Sequence, residues 1–386
     1  MFSSRIRWDA DPNAVSALAA RKRAAGAALL DLTESNPTRV GLPFPAKAIT
    51  AAFGAVGGML RYDPVPAGLP AARDLVAART GAAPDRICLT ASTSEAYGFL
   101  FKLLADPGGK ILVPRPSYPL FEYLAGLECL RVEAYPLHYE DGWYADRAAL
   151  EAAIDASTRA IVVVNPNNPT GSYFSRGEAA WLDALAARHG VAVIADEVFA
   201  EYPIEVRDHA ATAIRGREAL TFSLGGLSKL ACLPQMKLGW IVTSGPGDLV
   251  EAARGRLEWI ADTYLSVGAP VQDALSALLD AGDAARGVLR VRTQTNLAAL
   301  RAQFGSNSAA TVLRVEGGWS AVIRLPRVRS EESWLLELLD RYDVLAQPGY
   351  FYDFETEAYL VVSLIPEPAV FAEGAGRIAA MVATSS

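Results

Sequence analysis

Sulfur and imidazole are scarce in this sequence, with three cysteines, three histidines and four methionines among 386 residues. Cys88, Cys129 and Cys232 are far apart and share no paired spacing, which excludes a disulfide framework and a cysteine zinc site. His138, His189 and His209 are equally scattered, so no metal site is expected. Positive charge is also short. The formal net charge is −7, whereas nucleic acid and anionic membranes call for a basic face. Long apolar runs are missing too: residues 158–164 and 191–195 are too short to span a bilayer. The first residues, Met-Phe-Ser-Ser-Arg-Ile-Arg-Trp, lack the apolar stretch of a secretory signal, so a cytoplasmic protein is expected.

What remains is a chain long enough to bury a large core as two domains or one elaborate domain. Between about residues 85 and 245, short Val/Ile/Leu runs alternate with Ala/Leu-rich amphipathic stretches. That texture predicts a parallel sheet with crossover helices. Strands are predicted at 87–90, 110–114, 161–164, 191–196, 220–224 and 239–243, and helices at 92–105, 117–125, 176–189 and 247–257. After residue 270 come a long, broken helical region (274–304), strands at 311–315, 319–325 and 359–364, and helices at 332–342 and 369–383. The expected fold class is α/β: a large domain (45–285) with a mainly parallel sheet flanked by helices. A smaller α+β domain is expected from both ends of the chain, 1–44 and 286–386.

Three segments carry chemistry. Asn165-Pro-Asn-Asn-Pro-Thr-Gly171 follows one predicted strand, Ile194-Ala-Asp-Glu-Val-Phe199 closes another, and Ser223-Leu-Gly-Gly-Leu-Ser-Lys229 follows a third. An aldehyde cofactor needs an amine to form a Schiff base and a carboxylate to keep a pyridine nitrogen protonated. It also needs a polar group for its phenolic oxygen. Lys229, Asp196 and Asn168 supply that inventory at the carboxyl ends of parallel strands, where ligands bind. Thr90-Ala-Ser-Thr-Ser94 joins a strand to a helix and offers N–H groups and hydroxyls to a phosphate. Each segment also has a plain reading, as a turn, a strand end, a solvated lysine or an ordinary N-cap. Cys232, three residues past Lys229, reads as a packed core side chain rather than a reactive thiol.

The order and spacing of these segments resemble the class I/II aminotransferases, pyridoxal phosphate (PLP) enzymes of fold type I. The residues carrying the resemblance are Tyr62 and Gly68, Ser92-Thr-Ser-Glu-Ala96, Pro116-Ser-Tyr118, Asn165 to Gly171, Asp196-Glu-Val198, Ser228-Lys229 and Pro348-Gly349. The resemblance implies that Lys229 holds the cofactor aldehyde and shuttles a proton, and that Asp196 pairs with the pyridine nitrogen. Asn168 would bind the phenolic oxygen and Tyr118 would stack on the ring. Ser92, Thr93, Ser94, Ser228 and Lys237 would hold the phosphate, with Tyr62 reaching it from a second subunit of a homodimer. Asn36, Arg39 and Trp319 are the candidate substrate residues, and the expected partners are a small amino acid and a 2-oxo acid.

The sequence departs from the family pattern at three positions. Phe199 stands where a tyrosine usually donates to the phenolic oxygen, with Tyr202 the next available hydroxyl. Lys237 stands in place of a phosphate-binding arginine, keeping the charge without the bidentate fork. Val361 stands where an arginine usually clamps the substrate carboxylate, leaving Arg39 and Arg324 as alternative cations. The expected activity is transamination by ping-pong half-reactions. A C–S lyase or another amino-acid transformation on the same fold is the alternative, and a PLP-binding sensor is a third reading.

Overall fold

The computed structural model describes residues 2–6, 13–54, 60–305 and 307–384. Part of the N-terminal segment read above, residues 1 and 7–12, lies outside them. Eight strands form the main sheet: β1 (Ile87–Thr90), β2 (Lys110–Arg115), β3 (Arg131–Tyr139), β4 (Trp143–Ala145), β5 (Thr158–Val164), β6 (Ala192–Asp196), β7 (Thr221–Gly226) and β8 (Gly239–Ser244). Their spatial order is β1-β8-β7-β6-β5-β2-β3-β4. The run from β7 to β3 is parallel, while β8 is antiparallel to both of its neighbours and β4 is antiparallel to β3.

Alternation along the central strands explains why both faces are covered. Ile111, Val162 and Ile194 enter one apolar cluster with α1 (Thr93–Leu104) and the helix Gly247–Tyr264. Leu112, Ile161 and Val193 enter another, with α2 (Arg176–His189). Successive side chains of a strand point to opposite faces, so a strand buried on both sides reads as one continuous apolar run. Helix α2 starts at a capping box between Ser175 and Glu178 and stops at Gly190 in the left-handed region.

A second, four-stranded antiparallel sheet has the order β9 (Thr311–Val312), β10 (Ser320–Arg324), β12 (Tyr359–Ser363), β11 (Gln347–Pro348). Leu32, from the N-terminal segment, is fully buried in this sheet's core with Trp334, Phe371 and Ile378. Leu30–Asp31 pairs in parallel with Val344–Leu345.

The structure corrects four readings. The strand predicted at 239–243 runs antiparallel within the sheet. The hairpin β3–β4 is not legible in the sequence because β3 exposes Arg131 and Glu133 and contains Pro136, a residue that reads as an edge or a break even though β3 is paired on both sides. The helix Pro70–Thr80 was also unread, although it carries proline at its first position and Gly81 past its end. The region predicted as broken helix is instead α4 (Leu275–Gln303), continuous over 29 residues, preceded by the short helix Ala269–Asp273. No helix among the described residues is long and apolar enough to cross a membrane.

Helix α4 is tightly packed at Gly282, where an added Cβ would lie 2.4 Å from Ala231 Cα. Ala231 is two residues beyond Lys229, so this contact seats the lysine-bearing segment. Alanine favours a helix over glycine by about 1 kcal/mol, while overpacking costs about 1–3 kcal/mol. Gly282→Ala is therefore expected to destabilise the protein by up to about 2 kcal/mol in urea unfolding. A gain in stability would show that the contact is loose.

Candidate active site

Three parallel strands deliver their last residues to one place. β5 leads into the turn 165–171, β6 ends in Asp196, and β7 runs through Gly225-Gly226 into the single-turn helix α3 (Leu227–Leu230), which carries Lys229. This is the carboxyl edge of the sheet, the ligand-binding side of such folds.

The turn is held by its own asparagines. Asn165 N–H donates to the Asp196 carbonyl (2.8 Å), and its side-chain amide donates to Ala211 (2.8 Å). Asn167 donates to the Pro116 carbonyl (3.0 Å) and to Thr170 Oγ1 (2.8 Å), and it accepts from Ser117 Oγ (2.9 Å). Gly171 has φ +70°, and a Cβ there would meet the Gly317 carbonyl at 2.6 Å. Asn168 differs from its neighbours. Its oxygen accepts from Ser320 Oγ (3.0 Å), and its NH2 group has no partner among the described residues.

Asp196 accepts from Tyr97 Oη at 3.0 Å and from the Val198 N–H at 3.2 Å. Burial pushes its carboxyl up to about 6, against the opposing pull of those two donors and of the Lys229 charge. Burial also pushes Lys229 down to about 8, although Asp196 and Cys232 favour the charged form. The Lys229 amine makes no hydrogen bond or ion pair among the described residues. It lies 4.7 Å from the Trp319 ring centroid and 5.4 Å from that of Phe199. A buried amine lowered this far is partly unprotonated near neutral pH, as nucleophilic chemistry requires.

The helix N-terminus after β1 is capped by its own side chains. Ser92 Oγ accepts from Glu95 N–H (3.1 Å), while Glu95 accepts from Ala91 N–H (2.6 Å). The Ser92 oxygen thus caps α1 while its O–H remains free to donate. Thr93 and Ser94, in the first turn, make no side-chain hydrogen bond among the described residues and remain available.

The other sequence-predicted residues are placed as follows. Ser228 is partly exposed beside Lys229, and Lys237 is exposed in the left-handed region (φ 52°). Tyr118 is 45% exposed, and its hydroxyl is raised by burial and by the Asp196 charge. Tyr62 is 86% exposed and has no contact with this site within the chain. Trp319 is buried, with Phe199 and Tyr202 packed edge-on at 5.3 and 5.0 Å, and its indole N–H has no partner.

The Asn36 oxygen caps its own turn, accepting from Thr38 N–H (3.0 Å) and Oγ1 (2.8 Å), which leaves its NH2 group as the donor it can offer. The Arg39 side chain is 73% exposed and lies 3.9 Å from Glu34. Tyr202, the alternative hydroxyl for a phenolic oxygen, donates instead to the Lys229 carbonyl at 2.7 Å. Val361 is buried in one apolar cluster with Leu313, Val322 and Tyr352. Sequence reasoning missed Tyr97 and Ser320. Each is an unremarkable residue in a helix or strand, and only the fold carries it to Asp196 or Asn168.

The donor set suits PLP, with an unpaired amine, a buried carboxylate held by two donors, a free amide NH2 and hydroxyls in a helix's first turn. Comparison with solved structures gives the fold. An alanine aminotransferase from Pyrococcus furiosus superposes with a TM-score of 0.87, covering 100% of both chains at 21% identity. The family model for aminotransferase class I and II matches residues 28–378, and the chain belongs to that family. Nicotianamine aminotransferase A of Hordeum vulgare is 34% identical over 224 residues, covering 55% of this chain and 48% of that protein. Human tyrosine aminotransferase is 34% identical over 194 residues, covering 50% of this chain and 43% of that protein. The chain thus spans about half the length, or less, of these curated relatives.

The Asp196 shift has a consequence for stability. Its folded pKa lies above its unfolded value, so the folded state binds more protons between about pH 4 and pH 6. Stability from this group is therefore full below pH 4 and falls as pH rises through 6. Asp196→Asn keeps the Tyr97 bond and removes the buried charge. In cofactor-free protein it is expected to exceed the wild type by about 1–2 kcal/mol at pH 7 and to match it near pH 4. Urea unfolding at the two pH values checks this, and equal differences at both would refute the assigned burial.

Proposed function

We propose that this chain is a PLP-dependent aminotransferase moving an amino group between an amino acid and a 2-oxo acid in ping-pong half-reactions. The observation that carries the reading is the unpaired, depressed Lys229 amine set beside the buried carboxylate of Asp196 at the ends of adjacent parallel strands. When bound, PLP supplies an electron sink for negative charge at the substrate α-carbon.

The rest of the work falls to this chain's own residues. Lys229 Nζ would hold the cofactor through its aldehyde and, when free, would take the proton from the substrate α-carbon and return it to the cofactor side. Asp196, ionised above about pH 6, holds the pyridine nitrogen protonated, and Tyr97 fixes the carboxylate for that task. The free NH2 of Asn168 donates to the phenolic oxygen, a duty that Phe199 leaves unshared. Tyr118 covers one ring face. Thr93, Ser94, Ser228 and Lys237 take the phosphate, joined by Tyr62 from a second copy of the chain, whose 86% exposure supports a homodimer. Residues 45–285 form the cofactor-binding domain, and 1–44 with 286–386 form the smaller one. Helix α4 crosses between them.

With Val361 sealed in the core, the substrate carboxylate needs another cation. Arg39 fits this role, because it is largely exposed and its nearest carboxylate is beyond hydrogen-bond distance. Trp319 forms the apolar wall of the substrate site.

Lys229→Ala is expected to bind PLP without the absorbance change seen on adding it to the wild type, and to lose turnover. A retained change would remove Lys229 from its role. With the wild type, a panel of single amino acids plus a 2-oxo acid acceptor should yield the donor's own 2-oxo acid. Release of ammonia and pyruvate instead would mean elimination. Arg39→Ala should raise KM for the amino acid by about 10-fold or more, the worth of a charged hydrogen bond, with kcat nearly unchanged. An unaltered KM would exclude Arg39 from the site.

A further inference from the structure

Helix α3 has only four residues, so its last carbonyls find no N–H four positions on within the helix. The Leu227 carbonyl is taken by the Ala231 and Leu233 N–H groups, and that of Leu230 by Arg286 at 3.0 Å. The Lys229 carbonyl receives a long 3.3 Å contact from Cys232 N–H and a short 2.7 Å bond from Tyr202 Oη. Tyr202 has no exposed surface, and Cys232 Sγ lies 3.2 Å from the same hydroxyl. Burial raises the thiol, so it stays protonated and donates to the tyrosine oxygen while the tyrosine proton goes to the carbonyl.

The Tyr202 ring also packs at 5.0 Å, edge-on, against Trp319, the ring over which the Lys229 amine lies. The Tyr202 carbonyl accepts from Gly318 N–H at 2.9 Å and so holds the loop carrying Trp319. One buried side chain therefore anchors both the backbone of the lysine and the aromatic wall against its amine.

We propose that Tyr202 is a positioning residue for the reacting amine: its hydroxyl, seated between the Lys229 carbonyl and the Cys232 thiol, fixes where Lys229 Nζ stands. The proposal rests on Lys229 being that amine. Small displacements of a reacting group are costly in rate, so this bond acts on turnover without touching substrate.

The test follows trace acetylation of Lys229 by acetic anhydride across pH, read by mass spectrometry on the full-length, cofactor-free protein. It needs no cofactor, so it reports on Tyr202 separately from the Lys229→Ala spectrum, which tests the reading of the lysine itself. Tyr202→Phe removes one hydroxyl and lets the amine drift toward water. The labelling midpoint should rise by about one pH unit toward that of an ordinary lysine. In the loaded enzyme, kcat should fall about 10-fold with KM little changed. A midpoint equal to the wild type's, whatever the change in Tm, would leave Tyr202 a packing residue and overturn the proposal. Should Tyr202→Phe fail to fold, Cys232→Ala decides. It removes the thiol proton that polarises the Tyr202 hydroxyl, so in the loaded enzyme kcat should fall a few-fold with KM little changed, and an unchanged kcat would overturn the proposal.

Discussion

Two opposite charges, Asp196 and Lys229, are placed half-buried at one edge of the sheet, where neither is paired with the other by a hydrogen bond. Most of the surrounding structure serves that placement. Burial disfavours both charged forms, moving the acid up and the base down, and the attraction between them works against both shifts. The result is an amine that is partly neutral and a carboxylate that ionises close to neutral pH. The parallel run from β7 through β5 is the device that holds them, because adjacent parallel strands end at the same edge. Register locks the pair further: Asp196 stands opposite Val164 on one side and Leu224 on the other.

The polar groups around the site divide into those already used and those left over. Asn165 and Asn167 are used in holding the turn, since buried polar groups must find partners, and the Ser92 oxygen caps a helix end. Asn168 NH2, the Lys229 amine, the Trp319 indole N–H and the Thr93 and Ser94 hydroxyls lack protein partners among the described residues. Of these, the Trp319 indole N–H is fully buried, where an unmade hydrogen bond is costly, and the others are accessible donors that a ligand can take up. Such spare donors agree with the membership of the chain in the class I and II aminotransferase family.

The three departures from the family pattern act at different distances from the reacting atoms. Phe199 turns a hydroxyl position into part of an aromatic wall with Trp319, against which the lysine amine rests. Val361 fills an apolar cluster that would have to accommodate a guanidinium, so the usual cation cannot simply be restored there without burying an unpaired charge. Lys237 is exposed and keeps a positive charge at its position. In the proposed site the first two would reshape the substrate side, and the third would leave the phosphate side electrically similar.

The sequence alone determined the alternation of buried strands and helices, the order of the Asn-rich turn, the Asp-Glu strand end and the Ser-Lys segment, and with them the family. These are local patterns: a strand buried on both faces must be a continuous apolar run, and a turn must carry Asn, Pro and Gly. Tertiary structure decided the rest. It showed how Asn165 and Asn167 are occupied, by Ala211, Pro116 and Ser117, while Asn168, already singled out by the sequence, keeps its NH2 group. It brought Tyr97 to Asp196 across 99 residues of chain and Tyr202 to Lys229 across 27. It also made β8 antiparallel and the outer hairpin β3–β4 a pair of strands. Such choices depend on contacts between residues distant in the chain, and no pattern within a short stretch of sequence encodes them.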